Sequence, residues 1–196
     1  RSTRGFSRAS TPAARPIPLH GDFSLNVANG LTARFLLERG LSTLTPAHDL
    51  DATQVFHLLR RVEPGRVTIA LHHHIATFHT EHCVYAHLLS EGRDYRDCGR
   101  PCEAHRVSLR DRTGDEHPVV VDVGCRNTVF NARAQTAAAH VPGLLAAGVR
   151  RFRVEFVREG AEDVRRVMVA YRELLAGRAT PREAVQAVGA LEKFGV

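Results

Sequence analysis

The sequence predicts an α/β fold of parallel strands covered by helices, half of a (β/α)8 TIM-like barrel with a small β-hairpin insertion. Short apolar or alternating runs recur ahead of runs with helical period, the signature of strand–helix units joined by crossovers. Four such units can be counted, against the eight of a closed barrel. The histidines and cysteines begin just past the third strand, and barrels carry their sites at the C-terminal ends of strands.

Each element has its own local cause. Residues 1–20 are rich in Pro, Ser and Arg without periodicity and read as a tail or linker remnant. Phe23, Leu25 and Val27 alternate with polar residues, which predicts a strand over 22–29, followed by a helix over 31–38 stopped by Gly40. A second strand spans 41–45. Asp51 and Gln54 form a capping box for a helix carrying Val55, Phe56, Leu58 and Leu59, and Pro64-Gly65 breaks it. Residues 67–71 are nearly all apolar and predict a third strand buried on both faces.

A short helix is expected over 83–89, then a polar loop. A hairpin pairs 107–109 with 119–121 around Thr113-Gly114-Asp115, and a helix over 135–147 ends at Gly148. Phe152, Val154 and Phe156 alternate with Arg151, Arg153 and Glu155 as a fourth strand. Val164, Val167, Met168, Tyr171, Leu174 and Leu175 trace one face of the next helix. Thr180, Pro181 and Glu183 supply cap, first-turn proline and capping-box glutamate for the last one. The expected organisation is a tail over 1–20, a partial barrel over 21–177 and a C-terminal helix over 178–196.

The 196 residues suffice for one domain with a full core. No run approaches the roughly 18 apolar residues of a membrane span, and the N-terminal stretch lacks a secretion-signal layout, so a cytoplasmic setting is the expectation. The net charge of +6 comes almost entirely from arginine, since Lys193 is the only lysine. A basic surface favours polyanions such as RNA, although an arginine-rich genome would leave the same composition.

The chemistry gathers between His72 and Cys102, with Cys125 following. The cysteine spacing is C-x14-C-x3-C-x22-C. Disulfides do not suit a cytoplasmic chain, and four inert thiols are a poor account of such clustering. Structural zinc usually shows tight C-x2-C knuckles, whereas iron–sulfur thiolates converge from loops at spacings set by the fold. Both metals stay open on spacing alone.

His79-Thr-Glu-His82 resembles a short zinc pair but lacks the His-Glu-x-x-His of a zincin helix. A metalloprotease reading would use His79 and His82 as ligands and Glu81 as base. His72 and His74 at a strand end could face a substrate or anion. Arg100 and Arg126 could bind anionic groups, and Asn127, Asn131 and Glu155 could orient a substrate. Surface charge, caps or packing would explain any of these singly.

His79-Thr-Glu-His-Cys83, Asp97-Cys-Gly-Arg-Pro-Cys102 and Gly124-Cys-Arg-Asn-Thr-Val-Phe-Asn131 resemble the peptidase U32 family, the collagenase-like proteins with a barrel and a four-cysteine site. The similarity runs from about Gly21 to Gly177. It takes in Leu144 through Glu155 and Tyr171-Arg-Glu, which look like the family's closing strand and helix. The resemblance implies a [4Fe–4S] cluster on Cys83, Cys98, Cys102 and Cys125, with zinc as the alternative. It also implies oxygen-independent hydroxylation, of transfer or ribosomal RNA or of a ubiquinone precursor, or else collagenase-like endopeptidase activity. The family's frequent C-x6-C pair would put a cysteine where this chain has Ser90. What matches is the C-terminal half of the family's barrel, which implies that the missing half or a second subunit completes it.

Overall fold

The structure, a computed structural model, describes residues 17–195. Strand β1 (Leu19–Gly21) runs parallel to β2 (Leu41–Leu44). The strand expected over 22–29 does not form. The Asp22 carboxylate accepts the Phe23 N–H at 2.7 Å and opens a single 3-10 turn over Phe23–Leu25, which Asn26 closes in the left-handed region. The strand lies earlier, starting inside the stretch expected as a tail. Residues 1–16 of that tail lie outside the described residues.

Helix α1 (Gly30–Glu38) is capped by Asn29, whose side chain accepts from Leu31 and Thr32, and Gly40 turns the chain at φ +108°. Helix α2 (Ala52–Leu59) has the expected capping box between Asp51 and Gln54 and buries Val55, Leu58 and Leu59. A lost cap of this kind costs about 1 kcal/mol.

Strand β3 (Thr68–His73) pairs in parallel with β9 (Arg151–Val154), and a single parallel bridge joins Leu44 to Val67. Thus β1, β2, β3 and β9 run parallel in chain order. Leu44, Leu58, Ile69 and Leu144 fill the core between these strands and their helices. The other face carries Thr43, Thr45, Thr68, Arg151 and Arg153 around an open groove of about 580 Å³. Strand β3 is therefore not apolar-buried on both faces as its composition suggested, since Thr68 and Ala70 stay half-buried against this polar side. Among the described residues the strands do not close into a barrel.

The helix expected over 135–147 is three elements. Strand β8 (Gln135–Thr136) pairs antiparallel with β3 at His72 and His73, then come a 3-10 turn (Ala138–His140) and helix α5 (Val141–Ala146). Thr136 Oγ1 accepts the Ala138 N–H, and Pro142 fits only in a first turn, so the helix starts late. Helix α6 (Ala161–Leu175) buries Val167, Ala170, Tyr171 and Leu174. Helix α7 (Pro181–Val188) carries the Thr180–Glu183 capping box, and β10 (Leu191–Glu192) pairs with β8.

The expected hairpin grows into a four-stranded antiparallel sheet of order β4-β7-β6-β5. Its strands are β4 (Ala76–Thr80), β5 (Val107–Arg110), β6 (Glu116–Val121) and β7 (Asn127–Phe130). Short helices α3 (Val84–Leu89) and α4 (Pro101–Ala104) lie between β4 and β5 in the chain. Two contacts tie this sheet to the parallel one. His74 bridges the Asn131 carbonyl and Glu159 at 2.7 Å each, and Arg158 reaches the Tyr85 hydroxyl and the Val119 carbonyl.

Candidate metal centre

The four cysteines stand on separate segments around the antiparallel sheet. Cys83 is the N-cap of α3, Cys98 lies in the loop before α4, Cys102 lies in α4, and Cys125 sits in the turn between β6 and β7. All four are free thiols and half-buried. Burial, and then the neighbouring Cys83, Cys98, Cys102 and Asp122, push the Cys125 thiol above its ordinary range. Cys83, Cys98 and Cys125 line one cleft of about 460 Å³ with Glu81, His82 and Tyr95, while Cys102, like Cys83, packs against the Tyr85, Val119 and Val129 cluster.

The backbone around these thiols is unusual. Cys125 itself has φ +60° and Arg100 φ +53°, in the left-handed region that non-glycine residues rarely adopt. Such conformations persist only where surroundings over-determine them, and they gather at binding sites. The Arg100 N–H points back at Cys98 Sγ at 3.4 Å, which ties that side chain to the start of the next helix. At Gly92 an added Cβ would stand 2.5 Å from the Cys98 backbone, so only glycine lets the two strands of this loop touch. Asp122 accepts the N–H groups of Gly124 and Arg126 and so folds the turn that carries Cys125.

The other singled-out residues fall into distinct places. Arg126 is spent on Asp122 at 2.9 Å, and Arg100 makes an exposed pair with Glu103. Asn127 is fully buried. Its Oδ1 accepts the Val84 N–H at 2.7 Å, which holds the segment after Cys83 against that of Cys125. Asn131 contributes its carbonyl to His74. His72 is 2 % exposed and bonds the Tyr171 hydroxyl at 2.9 Å, so it belongs to the core. Burial, helped by His74, drives its pKa down to about 4.

His79, Glu81 and His82 do not assemble. His79 lies on β4 with Thr128 as its partner, while His82 follows a turn and meets His87 edge-on at 5.2 Å. Among the described residues, the candidate ligand atoms that gather within 4.8 Å of one another come from His48, His73 and Glu155. His48 was not singled out from the sequence, although a residue just past the C-terminal end of a parallel strand is where the barrel rule says to look. Tyr95 was also missed. It lines the cysteine cleft as a residue 59 % exposed, with the Arg96 guanidinium 5.3 Å from its ring.

A sequence model of the family described as Peptidase family U32 matches residues 6–193. No curated protein and no solved structure matches the chain.

Proposed function

With the chain belonging to peptidase family U32 as premise, we propose that it is an iron–sulfur protein that takes part in oxygen-independent hydroxylation, with RNA as substrate. The observation that carries this is that three free thiols, Cys83, Cys98 and Cys125, line one cleft, with the fourth, Cys102, four residues on from Cys98. No three of the sulfurs gather within 4.8 Å. A single tetrahedral zinc with bonds of about 2.3 Å would hold them roughly 3.8 Å apart. A cubane presents a separate iron to each thiolate and suits the wider spacing.

Cys83, Cys98, Cys102 and Cys125 would hold a [4Fe–4S] cluster, which supplies electron transfer or a binding point for the oxygen donor. The protein's own part is to fix the ligands. Asn127 clamps two of their segments, Gly92 admits the Cys98 loop, and the Arg100 N–H holds the Cys98 sulfur in place. The cleft is of a size that holds a small ligand or a single base. Tyr95 offers a stacking face there, with Arg93 and Arg96 beside it, which is how single-stranded RNA bases are held.

The four parallel strands in chain order support the reading of a C-terminal half barrel, completed by a second half. An endopeptidase built on His79, Glu81 and His82 draws no support from their separation. Anaerobic purification followed by iron and sulfide analysis tests the proposal. About four of each per chain are expected, and replacing any of the four cysteines by serine should lower both. One tightly held zinc and no sulfide would overturn it.

A further inference from the structure

His48, His73 and Glu155 each stand just past, or at the end of, a parallel strand, namely β2, β3 and β9. Ligand atoms from the three lie within 4.8 Å of one another. His48 Nε2, His73 Nδ1 and Glu155 Oε1 are all buried and without a hydrogen-bond partner. Leaving a buried polar atom unpaired costs about 1–3 kcal/mol, and here each residue of the group carries one such atom. The Arg153 Nε approaches Glu155 Oε1 at 2.7 Å but off the line of a hydrogen bond, and Arg153 also pairs with Asp22.

We infer that His48, His73 and Glu155 form a mononuclear site for a divalent first-row transition ion, with room for one exogenous ligand. Two imidazoles and one carboxylate are the donor set that zinc and iron(II) take when a position is left open. A cavity of about 20 Å³ adjoins the two histidines, walled by Leu50, Val55, Ile69 and Phe194. That is enough for one water. The chain beyond α7 closes it, with Gly195 packed so tightly on Leu50 that a side chain there would strike the Leu50 carbonyl.

The surroundings suit a cation. Burial keeps both imidazoles unprotonated, the form that binds metal; His73 is brought down to about 3, and His48 is lowered by burial and then by Arg153. The carboxylates of Asp22 and Asp49 also act on His48 against the Arg153 guanidinium, and burial pushes the Glu155 carboxyl up, a cost that a bound cation would offset. The Glu155 N–H bonds the His72 carbonyl at 2.8 Å, which holds the carboxylate beside the end of β3. Phe23 stacks on His48 at 4.2 Å and fixes its plane. No cysteine belongs to this site, so it stands whether or not the cluster does.

Cobalt(II) distinguishes the two centres, because thiolate ligation gives an intense charge-transfer band and nitrogen–oxygen ligation only weak ligand-field bands. The full chain with its thiols carboxamidomethylated is titrated with Co²⁺, and one equivalent with ligand-field bands alone is expected. Glu155→Gln and His48→Gln, which keep the side-chain volume, should each weaken binding at least tenfold, with cooperative unfolding retained as the check on folding. Absence of Co²⁺ binding by the alkylated chain overturns the site without recourse to any variant. So does binding that both variants leave at wild-type affinity.

Discussion

The buried side chain of Asn127 accepts the backbone N–H of Val84 at 2.7 Å, across 43 residues of sequence. Val84 follows Cys83, and Asn127 follows Cys125 by two, so one hydrogen bond sets the first and last cysteine segments against each other. Asn127→Ala would leave the Val84 N–H unpaired, at a cost of about 1–3 kcal/mol. The expected outcome is a lower melting temperature together with lower iron retention after anaerobic purification. Full iron content in a variant that is merely less stable would remove the clamp from the account of the site.

Gly92 and Gly99 make a matched pair on the Cys98 loop. At Gly92 the obstacle is space, since a Cβ would meet the Cys98 backbone. At Gly99 it is only φ +66°, with nothing within 4 Å. Gly99→Ala should therefore cost about 1 kcal/mol, and Gly92→Ala should cost more and displace Cys98. Comparing urea midpoints and iron content of the two variants checks this, and equal effects would contradict the packing argument.

Much of this was legible locally and little of it non-locally. The capping boxes at Asp51 and Thr180 hold because cap, turn and helix lie within four residues. The 22–29 strand failed because a side-chain cap at Asp22 outweighed an alternation of only three residues. β4 was invisible because it is almost wholly exposed, so its residues carry no hydrophobic period. The U32 resemblance, by contrast, was readable in short cysteine-bearing motifs. The His48–His73–Glu155 group joins residues up to 107 apart and has no motif, so only the fold could gather it.

Glu159 ties the two sheets at acid-sensitive cost. Burial acts to raise its pKa, but the bond from His74 and the N–H groups of Val157 and Arg158 prevail and hold it below the ordinary range. A depressed carboxyl adds stability above the unfolded value near 4.3, and that contribution is lost as pH falls through the folded value. Glu159→Gln should thus be less stable than wild type by about 2 kcal/mol at neutral pH. The gap should close below about pH 4. Urea denaturation of both proteins across that range measures it, and a gap independent of pH would refute the assignment.

The Tyr171 hydroxyl joins His72 Nδ1 and Thr136 Oγ1, at 2.9 and 2.8 Å, and all three residues are buried. Burial pushes the phenol up to about 12, so it stays neutral and bonded. Tyr171→Phe keeps the ring but orphans His72 Nδ1 and leaves Thr136 Oγ1 with the Ala138 N–H alone, and a loss of about 1–3 kcal/mol is expected. Thermal unfolding reads this directly. A neutral substitution would show that the network adds nothing beyond packing.

The final expectation concerns completeness. Within the described sheets β9 pairs only with β3, and β1 only with β2, so each leaves a strand edge of unpaired backbone groups that invites association. Beside the β9 edge an open groove of about 620 Å³ runs to α6, lined by Phe152, Val154, Met168 and Val169. Met168 is 49 % and Val169 42 % exposed, more apolar surface than a helix facing water needs. The face inside the strands is polar, with Thr43, Thr68 and Arg153 around an open groove, so water alone could cover it. The edge and the outer groove therefore carry the drive to associate. Size-exclusion chromatography with light scattering should give a mass above 21.6 kDa for the isolated chain, and Met168→Glu should shift it downward. A monomer of that mass with cooperative unfolding would defeat the half-barrel reading.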